Sequence, residues 1–214
     1  MNARSLISEL VGTFALIFIG AGAVVTTGNI VAIAVSHGLV VAAFAYAYGH
    51  HSGSHINPAV TFGMLVAGET SIGTAMGYWI AQFLGGILGA LALSFLVVGG
   101  AESGLGATVL ASGISPIQGL IIEAILTFFL VNTIMNTAVS GKAGSFSGLA
   151  IGLTLVFCIL MGGHLTGASL NPARSFGPAL LTGNLGQLWL YFVGPLFGAS
   201  AAALLYRVVF KRSN

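Results

Sequence analysis

Charge is what this sequence has least of. Its 214 residues include six Lys plus Arg, four Glu and no Asp, so only 5% are charged, against roughly 25% in a typical soluble domain. So few charged side chains cannot cover the surface of a water-soluble protein of this size. A soluble enzyme, a nucleic-acid binder and a disordered chain are all disfavoured on that ground. The net charge of +2 is too small and scattered to recruit a polyanion. A single cysteine, Cys158, excludes a disulfide within the chain and leaves the redox compartment open. There is no nucleophile–base pair and no Cys/His/Asp cluster with metal-ligand spacing. Neither an enzyme nor a metal or other cofactor is expected.

Apolar residues and glycine are abundant. The first make up 57% of the chain and glycine supplies 32 residues, with a mean hydropathy of +1.03. The length accommodates about six membrane helices of roughly 20 residues each. Apolar runs fall near 5–27, 30–48, 74–98, 116–139, 146–163 and 186–209. The start, Met1 to Glu9, has some look of a signal peptide, but Glu9 sits inside the apolar stretch and no small-residue cleavage site follows. Leu6 to Val25 therefore reads as a retained first span. Two more apolar segments, near 57–67 and 171–181, are too short to cross, and each opens with Asn-Pro-Ala. Gly99 to Ser115 is a small-residue loop carrying Glu102. The expectation is an all-α membrane protein forming one channel domain over 1–214.

The basic residues set the orientation. Arg4 precedes the first span, Lys142 lies between the fourth and fifth, and Arg207, Lys211 and Arg212 end the chain. Six spans put all of these on one side, and the positive-inside rule makes that side cytoplasmic, with both termini. The cell (inner) membrane is the expected location. Much of the glycine is expected to let helices approach closely. Ala81, Gly85 and Gly89, then Gly194, Gly198 and Ala202, recur every four residues, as do Gly148 and Gly152.

The chain matches itself at a shift of 114 residues. Glu9, Thr13 and Phe14 map onto Glu123, Thr127 and Phe128. The window Gly49–Gly63 maps onto Gly163–Gly177 with eight of fifteen positions identical. Each copy, about 5–98 and 116–212, holds three full spans and a partial one. Three is odd, so the second copy enters from the opposite face and the repeats are inverted. Interrupted helices at matching places in inverted halves point to a transport site.

Asn is a favoured helix N-cap and Pro a favoured first helical residue. Asn57-Pro58-Ala59 and Asn171-Pro172-Ala173 thus read as starts of two short helices that meet near mid-membrane. Backbone of this kind is tolerated only inside protein or beside a watery cavity. The preceding loops, Gly49–Ile56 and Gly163–Leu170, would offer carbonyls to such a cavity, with Gly53 and Gly167 supplying turns. Two facing N-termini create a positive maximum that suits a neutral molecule with lone pairs and opposes cations. The plainer reading is a pair of capped re-entrant helices. Symmetry fails after the second motif, where Arg174 stands opposite Val60. An intramembrane guanidinium marks function by default; a structural ion pair has only Glu102 available on that side.

Taken together, the two Asn-Pro-Ala motifs, the repeat and the Glu9/Glu123 pair resemble the aquaporin (major intrinsic protein) family. The resemblance covers essentially the whole chain. It implies an hourglass of six helices plus two half-helices, one pore per subunit, and a homotetramer. It also implies a selectivity filter at His37, Ile159, Ala168 and Arg174. The common water-specific bacterial pattern is Phe, His, Thr and Arg, so three positions depart. His/Ile/Ala/Arg is similar to some plant vacuolar-membrane members that pass water with ammonia, urea or glycerol. Ile159 and Ala168 imply a wider, less polar filter. His37 would present a donor or a pH-dependent charge, or simply be a packing histidine. Ser175 and Ala179 replace the Asp and basic residue of glycerol facilitators, and Tyr191-Phe192 resembles the aromatic pair of water-selective members.

Other polar groups have mainly structural readings. Glu9 and Glu123 are expected to accept backbone N–H groups from the re-entrant loops. His50, His55 and His164 are expected to brace those loops, leaving His51 unexplained. Cys158 either reaches the pore wall beside Ile159 or is a small core residue. The function expected is a passive channel for water, ammonia, glycerol and urea that excludes protons and ions. An ion-coupled secondary transporter is the alternative, and a sealing protein without an open pore is a third. The lipid bilayer is the only other partner implied, with no nucleic acid.

Overall fold

The computed structural model describes residues 2–211, so Arg212 lies outside the described residues. Six helices are long and apolar enough to span a bilayer: α1 (Ala3–Thr27), α2 (Ile30–Ser52), α4 (Ile72–Leu96), α5 (Pro116–Val139), α6 (Gly144–Thr166) and α8 (Leu190–Phe210). Two short helices, α3 (Pro58–Ala67) and α7 (Pro172–Thr182), complete the set. No strand occurs among the described residues. The chain is an integral membrane protein, and the expected six spans and two half-helices are all present.

Local chemistry explains the ends. Asn29, Ser71 and Ser115 cap their helices through side-chain oxygens, and Ser115 closes a capping box with Gln118. Two boundaries differ from expectation. The helical backbone of α2 runs on through Gly49, His50 and His51 to Ser52, and α6 runs on to Thr166. Hydropathy falls there before the hydrogen-bond ladder does. The carbonyl-bearing loops are thus shorter than the sequence implied, Gly53–Ile56 and Gly167–Leu170.

The helices pair as a repeated unit would. α1 packs mainly on α4, α5 mainly on α8, and α2 and α6 meet across the centre. Each half-helix crosses over: α3 packs chiefly on α8, and α7 chiefly on α4. Neither repeat can therefore complete its half of the core alone. The small-residue rows do what their spacing implied. Backbone carbonyls of Leu10 and Phe14 lie against Gly85 and Gly89, and those of Leu120 and Ala124 against Gly194 and Gly198. Large apolar side chains such as Ile80, Ile121, Leu153 and Phe197 remain exposed around the outside, as a lipid-facing surface requires.

Among the described residues, the basic positions other than Arg174 gather at one end. Ser5, beside Arg4, donates to the carbonyl of His51. Arg207 reaches the carbonyl of Val66, and Lys211 pairs with Glu69 at 2.7 Å. One cavity joins His51, Glu69 and Gly144, the last two residues from Lys142.

Candidate functional site

The two short helices begin at the molecule's centre. The side-chain oxygen of Asn57 accepts from Ala59 N–H at 2.8 Å, and that of Asn171 from Ala173 N–H at 3.0 Å. Proline occupies the first helical position in both. The amide nitrogens then cross over. Asn57 Nδ2 donates to Leu170 O at 2.9 Å, and Asn171 Nδ2 donates to Ile56 O at 3.0 Å. The exchange is reciprocal, as a two-fold relation between the repeats demands.

The loops leading to these caps are bent hard. Gly53 and Gly167 have φ of +85° and +81°, where glycine carries no steric penalty. Ser54, Ile56, Ala168 and Leu170 also have positive φ, which costs residues with a Cβ about 1–2 kcal/mol each. Two buried carboxylates hold the bends. Glu9 accepts from Ser52 Oγ, His55 N, Ile56 N and Gln82 Nε2 at 2.6–2.9 Å. Glu123 accepts from Thr166 Oγ1, Ser169 N and Leu170 N at 2.7–2.9 Å. Each carboxylate thus accepts two backbone N–H groups of one re-entrant loop.

A cavity of about 720 Å³ opens at the basic end, lined in part by His50, His51, His55, Glu69 and Tyr78. It shares His55 and Ile134 with a much narrower one of about 30 Å³ at the centre, room for only a few water molecules. Asn57, Asn171, Ser169, His37, His55 and Arg174 are among the residues lining the narrow cavity, and most of the others, such as Leu16, Val60 and Leu155, are aliphatic. So few polar groups give passing water few partners at a time.

Arg174 is 3% exposed, and its Nη1 donates to Gly106 O at 2.6 Å. Its Nε has no partner among the described residues. Glu102 is exposed and makes no ion pair with it. His37 faces the same cavity. Its Nδ1 lies 2.9 Å from Ile33 O. A carbonyl only accepts, so that nitrogen carries the proton. Nε2 has no hydrogen-bond partner among the described residues; in the neutral ring it accepts, and in the charged ring it donates. Ile159 and Ala168 do not line the narrow cavity. Both are buried in the apolar core, at 1% and 2% exposure, although Ala168 directly precedes the lining residue Ser169.

The histidine expectation holds only for His55. Its N–H reaches Glu9, and its Nδ1 lies 3.0 Å from Thr61 Oγ1. His50 and His164 are exposed instead and make no side-chain hydrogen bond among the described residues. They sit on the last turns of α2 and α6, and His50 lines the wide cavity together with His55. Cys158 is fully buried, with Sγ 3.6 Å from Leu126 O, and takes the core option.

Several hydrogen-bonding roles at the site are not evident from the sequence. Thr108 Oγ1, Ser175 Oγ and Ser169 Oγ form a chain with spacings of 2.5 and 2.6 Å, tying the loop after α4 to α7. Tyr78 and Tyr191 hydroxyls donate to Ser52 O and Thr166 O, sealing the ends of α2 and α6. Gln82 bridges Glu9 and Thr61. A signal existed for part of this: hydroxyls recur at 52 and 166, and at 61 and 175, under the 114-residue shift. Thr108, Gly106 and Gln82 have no repeat partner of like chemistry, and nothing local marks them.

Comparison with known proteins agrees with this architecture. The family model described as major intrinsic protein matches residues 1–206. Aquaporin TIP4-4 of Zea mays is 40% identical over 220 residues, covering 97% of this chain and 86% of that protein. Probable aquaporin TIP3-2 of Arabidopsis thaliana is 40% identical over 224 residues, covering 96% and 83%. The X-ray structure of the aquaglyceroporin from Plasmodium falciparum superposes with a TM-score of 0.84 at 26% identity, covering 96% of both chains. Two crossed Asn caps, two half-helices between six spans, and these relatives lead to one conclusion: the chain belongs to the major intrinsic protein family.

Proposed function

We propose that this protein is a passive transmembrane channel for water that also passes ammonia, glycerol and urea and excludes protons and ions. The reciprocal Asn57–Leu170 and Asn171–Ile56 bonds carry the reading. They hold two helix N-termini face to face beside the narrow cavity, whose lining includes both asparagines. The combined dipoles repel a cation there. Each Asn amide keeps a second N–H for the lone pair of a passing molecule. Aquaporin-type pores owe their exclusion of protons to this kind of electrostatic barrier.

His37, Ile159, Ala168 and Arg174 form the selectivity filter in this proposal. His37 and Arg174 supply its polar part, and both line the narrow cavity. Ile159 and Ala168 bring no polar group to the filter, which favours solutes less polar than water. The similarity to a protein titled an aquaglyceroporin favours the solute part. Glu9 and Glu123 are poor ion-coupling groups, because their oxygens are occupied by the loops they brace. We place both termini in the cytoplasm of a cell membrane, on the strength of the basic residues at one end. Membership of the family favours a homotetramer.

Stopped-flow light scattering on proteoliposomes, with water, ammonia, glycerol and urea in turn, tests this. Rapid water flux with linear solute flux is expected. Saturable flux driven by an ion gradient would overturn the channel; water flux alone would remove the solutes.

A further inference from the structure

The first helix departs from α geometry over Leu16–Ala21, where it widens into a π-helical turn. Such turns occur frequently at functional sites. Gly20 lies in this turn, four residues beyond Leu16, which lines the narrow cavity. A Cβ built on Gly20 would stand 2.6 Å from Cδ2, 2.7 Å from Nε2 and 2.9 Å from Cε1 of His37. Near-equal distances to three neighbouring ring atoms mean that the imidazole lies with its face against the bare Cα. No methyl group fits between them.

The second repeat provides an internal comparison. The 114-residue shift takes Gly20 to Ile134 and His37 to Ile151. Both isoleucines are buried. Where the second repeat has no ring, it has no glycine either. The gap in the first helix thus accompanies the imidazole and is not a general need of that helix position.

We propose that Gly20 is a positioning residue for the constriction that acts through His37. It lets the imidazole recede against α1 and so sets the opening between His37 and Arg174. The inference rests on the reading of His37 and Arg174 as the constriction. A side chain at Gly20 drives the ring off α1 and into the cavity it shares with Arg174. Little opposes that movement: the ring is held by one bond, to Ile33 O, and its Nε2 is unpartnered.

The test uses Gly20→Ala with and without His37→Ala, each full-length chain reconstituted in proteoliposomes. Water and ammonia permeability per channel are the readouts. With His37 present, Gly20→Ala is expected to lower both by roughly tenfold, the scale of one methyl group in a tight site. In the His37→Ala background the same change is expected to have no effect. Equal losses in both backgrounds, or none in either, would overturn the proposal. If Gly20→Ala fails to fold, adding His37→Ala should restore folding, and a double variant that still misfolds overturns it as well. His37→Ala alone tests the underlying reading separately: unchanged permeability there would remove His37 from the constriction, and the role of Gly20 with it.

Discussion

Gly38 on α2 and Gly152 on α6 meet backbone to backbone at the centre of the molecule. A Cβ built on Gly38 would lie 2.6 Å from Gly152 O, and one on Gly152 would lie 2.5 Å from Gly38 O. The two glycines are equivalent under the 114-residue shift, so the pseudo-two-fold axis passes between them. Gly38→Val or Gly152→Val should force α2 and α6 apart. A loss of about 1–3 kcal/mol is expected for overpacking of this kind, read as a lower melting temperature in detergent. Gly68→Ala is a control for volume alone, because nothing lies near a Cβ there, and the strain of its φ of +76° should be its main cost.

Glu9 and Glu123 should respond unequally to amide substitution. Glu9 accepts four hydrogen bonds and Glu123 three, the difference being Gln82. A glutamine at either place keeps one accepting oxygen and faces backbone N–H groups with a second donor. Each variant should lose about 1–3 kcal/mol per buried N–H left unpaired. Thermal unfolding, followed by helical circular dichroism, measures this. Gln82→Leu should lower the stability of the wild-type chain but add less to Glu9→Gln, since the two share one bond.

Arg174→Val should leave the fold intact and weaken cation exclusion. The side chain's one described anchor is the Gly106 carbonyl, so its removal orphans no charged partner. Proton flux into pH-dye-loaded proteoliposomes should rise while water flux persists. An unchanged proton leak would assign exclusion to the half-helix dipoles alone.

The hydroxyl chain from Thr108 through Ser175 to Ser169 should hold the outer loop in place. Thr108→Val keeps the shape and removes the end of the chain. Amide hydrogen exchange in residues 104–111 should accelerate, with little change in α2 or α6. Uniform acceleration throughout the protein would show instead that the chain supports the whole fold.

Much of this molecule was legible in its sequence because the membrane leaves few choices. Apolar length fixes a spanning helix, and scarce charges mark its ends. Asn-Pro fixes a helix start, and a 114-residue repeat with three spans per copy fixes inversion. Glu9 and Glu123 were readable because a buried carboxylate demands donors and the repeat placed bent loops near both. The structure decided what depends on side-chain direction and on contacts between distant segments. It put His37 on the cavity but Ile159 and Ala168 in the core, left His50 and His164 exposed, and brought the Gly106 carbonyl to Arg174. It crossed the half-helices onto opposite repeats. It also laid the His37 ring on Gly20, seventeen residues away. Composition and period are properties of the chain alone. Whether a ring, a carbonyl or a hydroxyl faces the pore is settled only when helices pack, because close packing admits one arrangement of neighbours and a sequence pattern admits several.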